Sequence, residues 1–368
     1  MLPVSQIQQP TCLLDKTRVM QNIRRMAQKA SHHKVTFRPH FKTHQSADIG
    51  QWFRIFGVKA ITVSSLHMAH YFAGHGWQDI TVAFPVNIRE MERINHLAQV
   101  IRLHLLVDSE APVKVLQERL AAPVRLWIKI DVGYGRAGIR WDRPDKVLSL
   151  ARLILESGNT PLAGLLTHAG HTYAASSAEE IRHIYRVTVE RLSRLREMLA
   201  ENKIGGVNIS VGDTPGCVLT DDFGPVDEIR PGNFVFYDAM QLHLGVCQEE
   251  QIGVAVACPV VALYPDRQEM ILYGGAVHLS KDFICVNGEK VYGWLAPLTE
   301  KGWGRRFKNT YLRALSQEHG IVATTPEILR QFQVGDLVAV IPVHSCLTVN
   351  LLRRYMTLDG EPIPMMPL

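Results

Sequence analysis

A chain of 368 residues, 46% apolar and 20% charged, can bury one large core and a smaller second one, and it has none of the Ser/Gly or Gln/Asn tracts that keep a chain disordered. Its formal charge of +5 comes from 40 basic and 35 acidic residues scattered along the length, so the basic run that tracks a phosphate backbone is missing and nucleic acid is a poor partner. No stretch reaches about 18 uninterrupted apolar residues, the opening MLPVSQIQQPTCLLD does not read as an export signal, and the six cysteines lie far apart, which together predict a cytoplasmic protein without disulfides or membrane contact.

Short β-branched or apolar runs at residues 35–38, 60–63, 80–83, 103–107, 126–131, 163–167, 207–211 and 228–229, the last continuing toward Phe236, predict eight strands. Amphipathic stretches at 17–30, 90–97, 144–156 and 178–201 carry apolar residues at helical spacing between them. Strands that are apolar on both faces and alternate with helices predict an α/β fold, a (β/α)8 TIM-like barrel over residues 11–245. A doubly wound open sheet is the alternative, because periodicity does not separate closed from open parallel sheets. Beyond residue 245 the texture changes. Residues 252–263, 268–273, 283–291, 337–341 and 348–351 predict strands and only 325–331 a helix, so residues 246–368 are expected to form a C-terminal β-rich domain, with residues 1–10 packed against it. Cys12, Cys217, Cys247, Cys258 and Cys285 are expected to be buried thiols.

The first predicted strand runs straight into Arg38-Pro39-His40-Phe41-Lys42-Thr43-His44. Lys42 therefore emerges at the C-terminal end of a barrel strand, where such barrels keep their reactive groups. Flanked by Arg38, His40 and His44, it is a candidate amine nucleophile; the alternative is a solvated lysine in a basic loop. After the seventh strand, Ser210-Val211-Gly212-Asp213-Thr214-Pro215-Gly216 offers backbone N–H groups and hydroxyls that wrap a phosphate, with Ser210, Gly212 and Thr214 as candidates, although ordinary loops share this composition. Near the C-terminus His344 and Cys346 stand two apart on a predicted strand, where residues i and i+2 face one side and reach one ion. His plus Cys favours zinc, and two protein ligands leave positions open for water and a substrate oxygen.

The run from Arg38 to His44 resembles the R-P-H-x-K-T-H segment of alanine-racemase-type pyridoxal-phosphate enzymes, and more narrowly of the group containing D-serine dehydratase and D-threonine aldolase. That resemblance spans nearly the whole chain and implies that Lys42 carries pyridoxal 5'-phosphate as a Schiff base. It also implies cofactor contacts for Arg136, in the loop after the fifth strand, and for His168 and Tyr173 in His168-Ala169-Gly170-His171-Thr172-Tyr173, which is similar to H-x-G-x-x-Y. His168 or His171 is then a candidate acid or base. Arg230-Pro231-Gly232 leading to Tyr237-Asp238 is similar to R-P-G-x-x-x-x-Y-D, with Tyr237 as a phosphate hydroxyl and Arg230 as a structural partner of Asp227 or Glu228. Pro342-Val343-His344-Ser345-Cys346 is similar to the P-x-H-x-C that holds zinc in D-serine dehydratases; the aldolases more typically carry His-x-Asp for a cation such as manganese. Ser316-Gln317-Glu318-His319-Gly320 resembles S-x-E-H-G, placing Glu318 or His319 behind the metal.

The expected activity is a metal-dependent lyase on a D-β-hydroxy amino acid, giving a 2-oxo acid and ammonia by dehydration, with Lys42 as α-proton base. Retro-aldol cleavage to glycine and an aldehyde, with His171 as base, is the alternative. An amino-acid racemase ranks third, since it has no use for a metal at the β-oxygen. The resemblance further implies a homodimer.

Overall fold

The computed structural model describes residue 2 and residues 4–367. The chain divides into two compact units, one made of Arg25–Lys42 and Gly50–Gly232, the other of the chain up to Arg24, Thr43–Ile49 and everything from Asn233 on.

In the first unit eight parallel strands, Thr36–Phe37, Ile61–Val63, Asp79–Pro85, Arg102–Val107, Arg125–Asp131, Leu162–Leu166, Asn208–Val211 and Glu228–Ile229, pair in chain order. Glu228–Ile229 returns to lie beside Thr36–Phe37. A parallel bridge between His40 and Thr62 closes the remaining gap, so the sheet is a TIM-like barrel rather than a doubly wound open sheet. Helices lie between the strands because their apolar residues fall on one face. Ala178–Glu201, for example, buries Ile181, Tyr185, Val189, Leu192, Leu195 and Leu199, and Ser177 caps it by accepting the Glu180 N–H. The eighth strand stops at Ile229 instead of continuing toward Phe236. Pro231 has no N–H for a ladder, and Asn233–Val235 forms a short 3-10 turn.

The starts of the strands enclose a polar layer. Arg38 lies between Glu228, at 2.5 Å, and Asp79. His104 Nε2 sits 3.3 Å from the same Asp79, and its Nδ1 accepts from Trp127 Nε1 at 3.1 Å. These groups line a cavity at the N-terminal face, the end that barrels use for stability rather than chemistry.

The second unit is an antiparallel sheet centred on Val254–Tyr264. The strands Glu269–Tyr273, His319–Ala323, Tyr311–Leu315, Gly293–Thr299 and Leu337–Pro342 lead round from this long strand and back to it, which closes a small barrel. Val256, Cys258, Met270, Leu272, Leu295, Leu312, Val322 and Val340 fill its core. Thr11–Leu14 pairs with residues 254–257, so the N-terminal segment that belongs with this unit runs past residue 10, into the stretch from residue 11 that the sequence reading gave to the barrel. Two sequence readings are corrected. Residues 283–291 form a hairpin, Ile284–Val286 and Glu289–Val291, because Asn287 and Gly288 adopt the positive φ values that a tight turn needs. Residues 348–351 belong to a helix, Ser345–Leu352. All six cysteines are free, but Cys285 is exposed rather than buried. Among the described residues no helix is long and apolar enough to cross a membrane.

Candidate active site

In the barrel unit, Lys42 is presented by its neighbours. The strand Thr36–Phe37 is prolonged by the Arg38 N–H donating to the Ile229 carbonyl and the His40 N–H to the Pro231 carbonyl. Phe41 then turns inward. It is fully buried against Phe53, Phe72 and Trp77, with ring centroids 4.9–5.1 Å apart, and Gly50 leaves it room. Burying such a ring contributes roughly 2–3 kcal/mol. The anchor at Phe41 is what fixes the next residue, Lys42, on the exposed side of the turn.

Around this turn the strongest charges acting on the two histidines are cationic. His40 and His168 both lie well below the ordinary imidazole range. Burial is the first cause; Lys42, Arg230 and Arg136 add to it at His40, and Arg136, Lys42 and Lys129 at His168. Lys129, inside the barrel, is itself pushed down to about 7 by burial and by Arg230 and Arg136. Arg136 stacks over the Tyr134 ring at 5.3 Å. Its loop is a glycine turn hung on Asp131, whose Oδ1 accepts from the Gly133 and Gly135 N–H groups at 3.0 Å. Gly138 has φ +111, and a Cβ there would lie 2.8 Å from the Lys129 carbonyl oxygen, so the loop needs glycine at that point.

His168 Nδ1 donates to the Gly212 carbonyl at 2.5 Å, which leaves Nε2 as the lone-pair nitrogen. His171 stacks on Tyr134, lies below its ordinary value through burial and then Arg191, and its buried Nδ1 meets no hydrogen-bonding group among the described residues. The phosphate candidates separate. The Thr214 N–H reaches Tyr173 Oη at 3.3 Å, at the start of a short helix capped by Asp213. Asp213 is pushed up to about 6 by burial. Ser210, by contrast, is fully buried, its hydroxyl 2.7 Å from both Glu228 Oε1 and Arg230 Nε. Arg230 bonds Ser210 and the Thr167 carbonyl instead of Asp227 or Glu228, although Glu228 acts on it electrostatically.

In the other unit, His344 and Cys346 do not share a strand face. The strand ends at Pro342, His344 is the N-cap of Ser345–Leu352, and Cys346 is in its first turn. The turn nevertheless brings the thiol near enough to the imidazole to favour its protonated form. His344 Nδ1 lies 2.7 Å from Asp282 Oδ2. Burial opposes a proton on His344, but Asp282, Cys346 and Asp238 outweigh it and carry the imidazole up to about 11. Cys346 Sγ stands 3.4 Å from Thr43 Oγ1. Asp238 holds the turn by accepting the Ser345 N–H at 3.0 Å. Tyr237, just before it, is buried with φ +50, an uncommon value for a bulky side chain. Glu318 pairs with His278 at 3.7 Å, in a hairpin turn. No group of three or more His, Cys, Asp or Glu side chains that could hold an ion occurs among the described residues.

The family described as "Alanine racemase, N-terminal domain" matches residues 14–239, and "Putative serine dehydratase domain" matches residues 253–358. The chain belongs to the alanine racemase N-terminal-domain family. D-threo-3-hydroxyaspartate dehydratase of Delftia sp. is 28% identical over 96% of this chain and 94% of its own length. Its solved structure superposes with a TM-score of 0.91 over 99% of both chains at 26% identity. D-serine dehydratase of Dictyostelium discoideum is 27% identical over 97% of this chain and 95% of its own. D-threonine aldolase of Arthrobacter is 25% identical over 95% and 88%. A cysteine-to-alanine mutant of a D-threo-3-hydroxyaspartate dehydratase, 26% identical with a TM-score of 0.90, has been solved in a metal-free form.

Asp282, Asp238 and Lys129 were not singled out by sequence. Asp238 ends a motif that was noticed for its tyrosine. Asp282 carries no local signal, since its partner His344 is 62 residues away.

Proposed function

We propose that this protein is a pyridoxal-phosphate- and metal-dependent lyase that dehydrates a D-β-hydroxy amino acid, D-serine or a related D-3-hydroxy acid, to a 2-oxo acid and ammonia. One observation carries the reading. The charged neighbours that act most strongly on His40 and His168, among them Lys42, Arg136, Arg230 and Lys129, all disfavour their protonation, so Lys42 projects from a set of cations suited to an anionic phosphate and phenolate. Gly212, whose Cβ would lie 3.0 Å from Arg230, gives the close backbone approach that such a group needs. At His344 the field is reversed: an imidazole flanked by a carboxylate and a thiol favours a cation, which fits a divalent ion.

When bound, pyridoxal phosphate supplies an electron sink for charge at the substrate Cα, and the divalent ion, zinc by the softness of Cys346 with manganese as the alternative, supplies a Lewis acid for the β-hydroxyl. Lys42 would hold the cofactor and then accept the α-proton on Nζ, and Arg136 would stabilise the phenolic oxygen. In the barrel unit Tyr173, Gly212 and Thr214 would hold the phosphate, and Ser210 drops from that set because Glu228 and Arg230 already engage its hydroxyl. His344 and Cys346 are the metal ligands. Loss of the α-hydrogen and the β-hydroxyl leaves an enamine that water converts to the oxo acid and ammonia. The aldolase outcome stands second, favoured by His171, whose lowered imidazole and open Nδ1 suit a base toward the β-hydroxyl proton.

Purified protein given pyridoxal phosphate should develop a visible absorbance that Lys42→Ala abolishes; retention of that band in the variant would sink the assignment. D-serine, D-threonine and D-3-hydroxyaspartate assayed for ammonia plus oxo acid against glycine plus aldehyde decide the bond broken. Glycine without ammonia would overturn the dehydratase reading.

A further inference from the structure

We infer that Asp282 is the positioning residue of the metal centre, its carboxylate holding the Nδ1 side of His344 so that Nε2 is presented to a divalent cation. The inference rests on the reading of His344 and Cys346 as metal ligands.

The geometry is a single bond, His344 Nδ1 to Asp282 Oδ2 at 2.7 Å. An ionised carboxylate only accepts, so Nδ1 keeps its hydrogen against Asp282 and Nε2 is the nitrogen that binds an ion, giving up its proton as the ion binds. A ring held in this way has a fixed tautomer and a fixed plane before any metal arrives.

Both ends of this bond are anchored. The helix Ala276–Leu279 is followed by Ser280 with φ +69, a left-handed value that a serine keeps only where its surroundings impose it. The Leu279 carbonyl accepts from Thr348 Oγ1 at 3.1 Å, tying this corner to the helix that starts after His344. Ser280 Oγ then accepts the Asp282 N–H at 3.3 Å, which sets the direction of the acidic side chain. On the histidine side, the buried Asp238 accepts from the Ser345 N–H at 3.0 Å, so the residue between the two ligands cannot drift.

Asp282 and His344 are partly open, with side-chain exposures of 47% and 39%. A pair so wetted contributes little to folding. The strained corner and its ties are thus better explained by a task at His344 than by stability, and replacing Asp282 leaves a folded protein to test.

The test uses the full-length holoenzyme. Zinc affinity is measured by competition with a chromophoric chelator for the wild type, Asp282→Ala, Asp282→Asn and Cys346→Ala, alongside cofactor absorbance and circular dichroism. In parallel, cobalt-loaded protein is scanned for the thiolate-to-cobalt band that reports the Cys346 bond. Asp282→Ala is expected to weaken zinc binding about 10- to 100-fold while keeping the cobalt–thiolate band and the cofactor absorbance. Asp282→Asn, which retains an acceptor oxygen, is expected to recover part of the loss. Unchanged zinc affinity in Asp282→Ala overturns the positioning role, and complete loss of the cobalt–thiolate band in that variant overturns it in favour of direct ligation. Wild-type affinity in Cys346→Ala would instead overturn the metal reading on which the proposal stands.

Discussion

At the barrel mouth, His40 and His168 are driven below the ordinary imidazole range by burial and then by Lys42, Arg136, Arg230 and Lys129, whereas the half-exposed His344 in the β unit is carried up to about 11 by Asp282, Cys346 and Asp238. The residue type is the same and the local fields are opposite. One environment collects cations and suits an anionic group; the other collects acidic groups and suits a cation. A third arrangement, at the starts of the barrel strands, pairs its charges within the protein: Arg38 sits between Asp79 and Glu228, and Arg102 also pairs with Asp79, so two cations meet two carboxylates. Cations whose partners are protein carboxylates hold the fold together. At the mouth the cations act together on His40 and His168, which suits an anionic ligand.

Replacing the balanced cation should have the largest effect on folding. Arg38→Met leaves the buried Glu228 carboxylate without its cation and is expected to lower stability by about 3 kcal/mol, read from urea unfolding. Arg136→Gln, at the mouth, is expected to leave stability almost unchanged but to weaken pyridoxal-phosphate binding by about 2–3 kcal/mol, some 30- to 150-fold. If the two variants lost stability equally, the distinction between balanced and gathered cations would fail.

The pH dependence sharpens the same contrast. His44 is held at about 3 and His104 below its ordinary value, each chiefly by burial. Their folded values are depressed, so the unfolded chain takes up these protons first. The stability they contribute is fully present above about pH 6.5 and is lost as pH falls, at up to about 1.4 kcal/mol per pH unit for each histidine. Urea midpoints measured from pH 7 to 5 should fall, and His104→Gln should make the slope shallower; an identical slope would remove His104 from the account. The smallest effect is expected at Gly170, where an added Cβ would lie 2.4 Å from the Tyr134 ring. Because Tyr134 is 41% exposed and can swing away, Gly170→Ala should destabilise by only about 1 kcal/mol. It should nevertheless disturb the Tyr134 stack on His171, visible as a changed His171 titration by NMR.

Much of the barrel was legible along the chain because its strands are short apolar runs buried on both faces and its helices are amphipathic; Ala178–Glu201 matches the predicted bounds, and the Lys42 turn follows the first strand as expected. The β unit was less so. Gly293–Thr299, Tyr311–Leu315 and Arg354–Thr357 carry no periodicity strong enough to mark them, since an antiparallel strand takes its burial pattern from neighbours distant in sequence. The strand assigned to His344 and Cys346 was a helix start, although the pair itself was recognised by residue type.

By itself, then, the sequence determined which chemistry-bearing side chains exist and on which strand ends they ride, because periodicity and local motifs are properties of adjacent residues. Closure of the barrel through His40 and Thr62, the engagement of Ser210 by Glu228 and Arg230, and the meeting of Asp282 with His344 were decided only in the tertiary structure. Each joins residues at least 18 positions apart, and the sign of the field at each histidine is a sum over such distant neighbours.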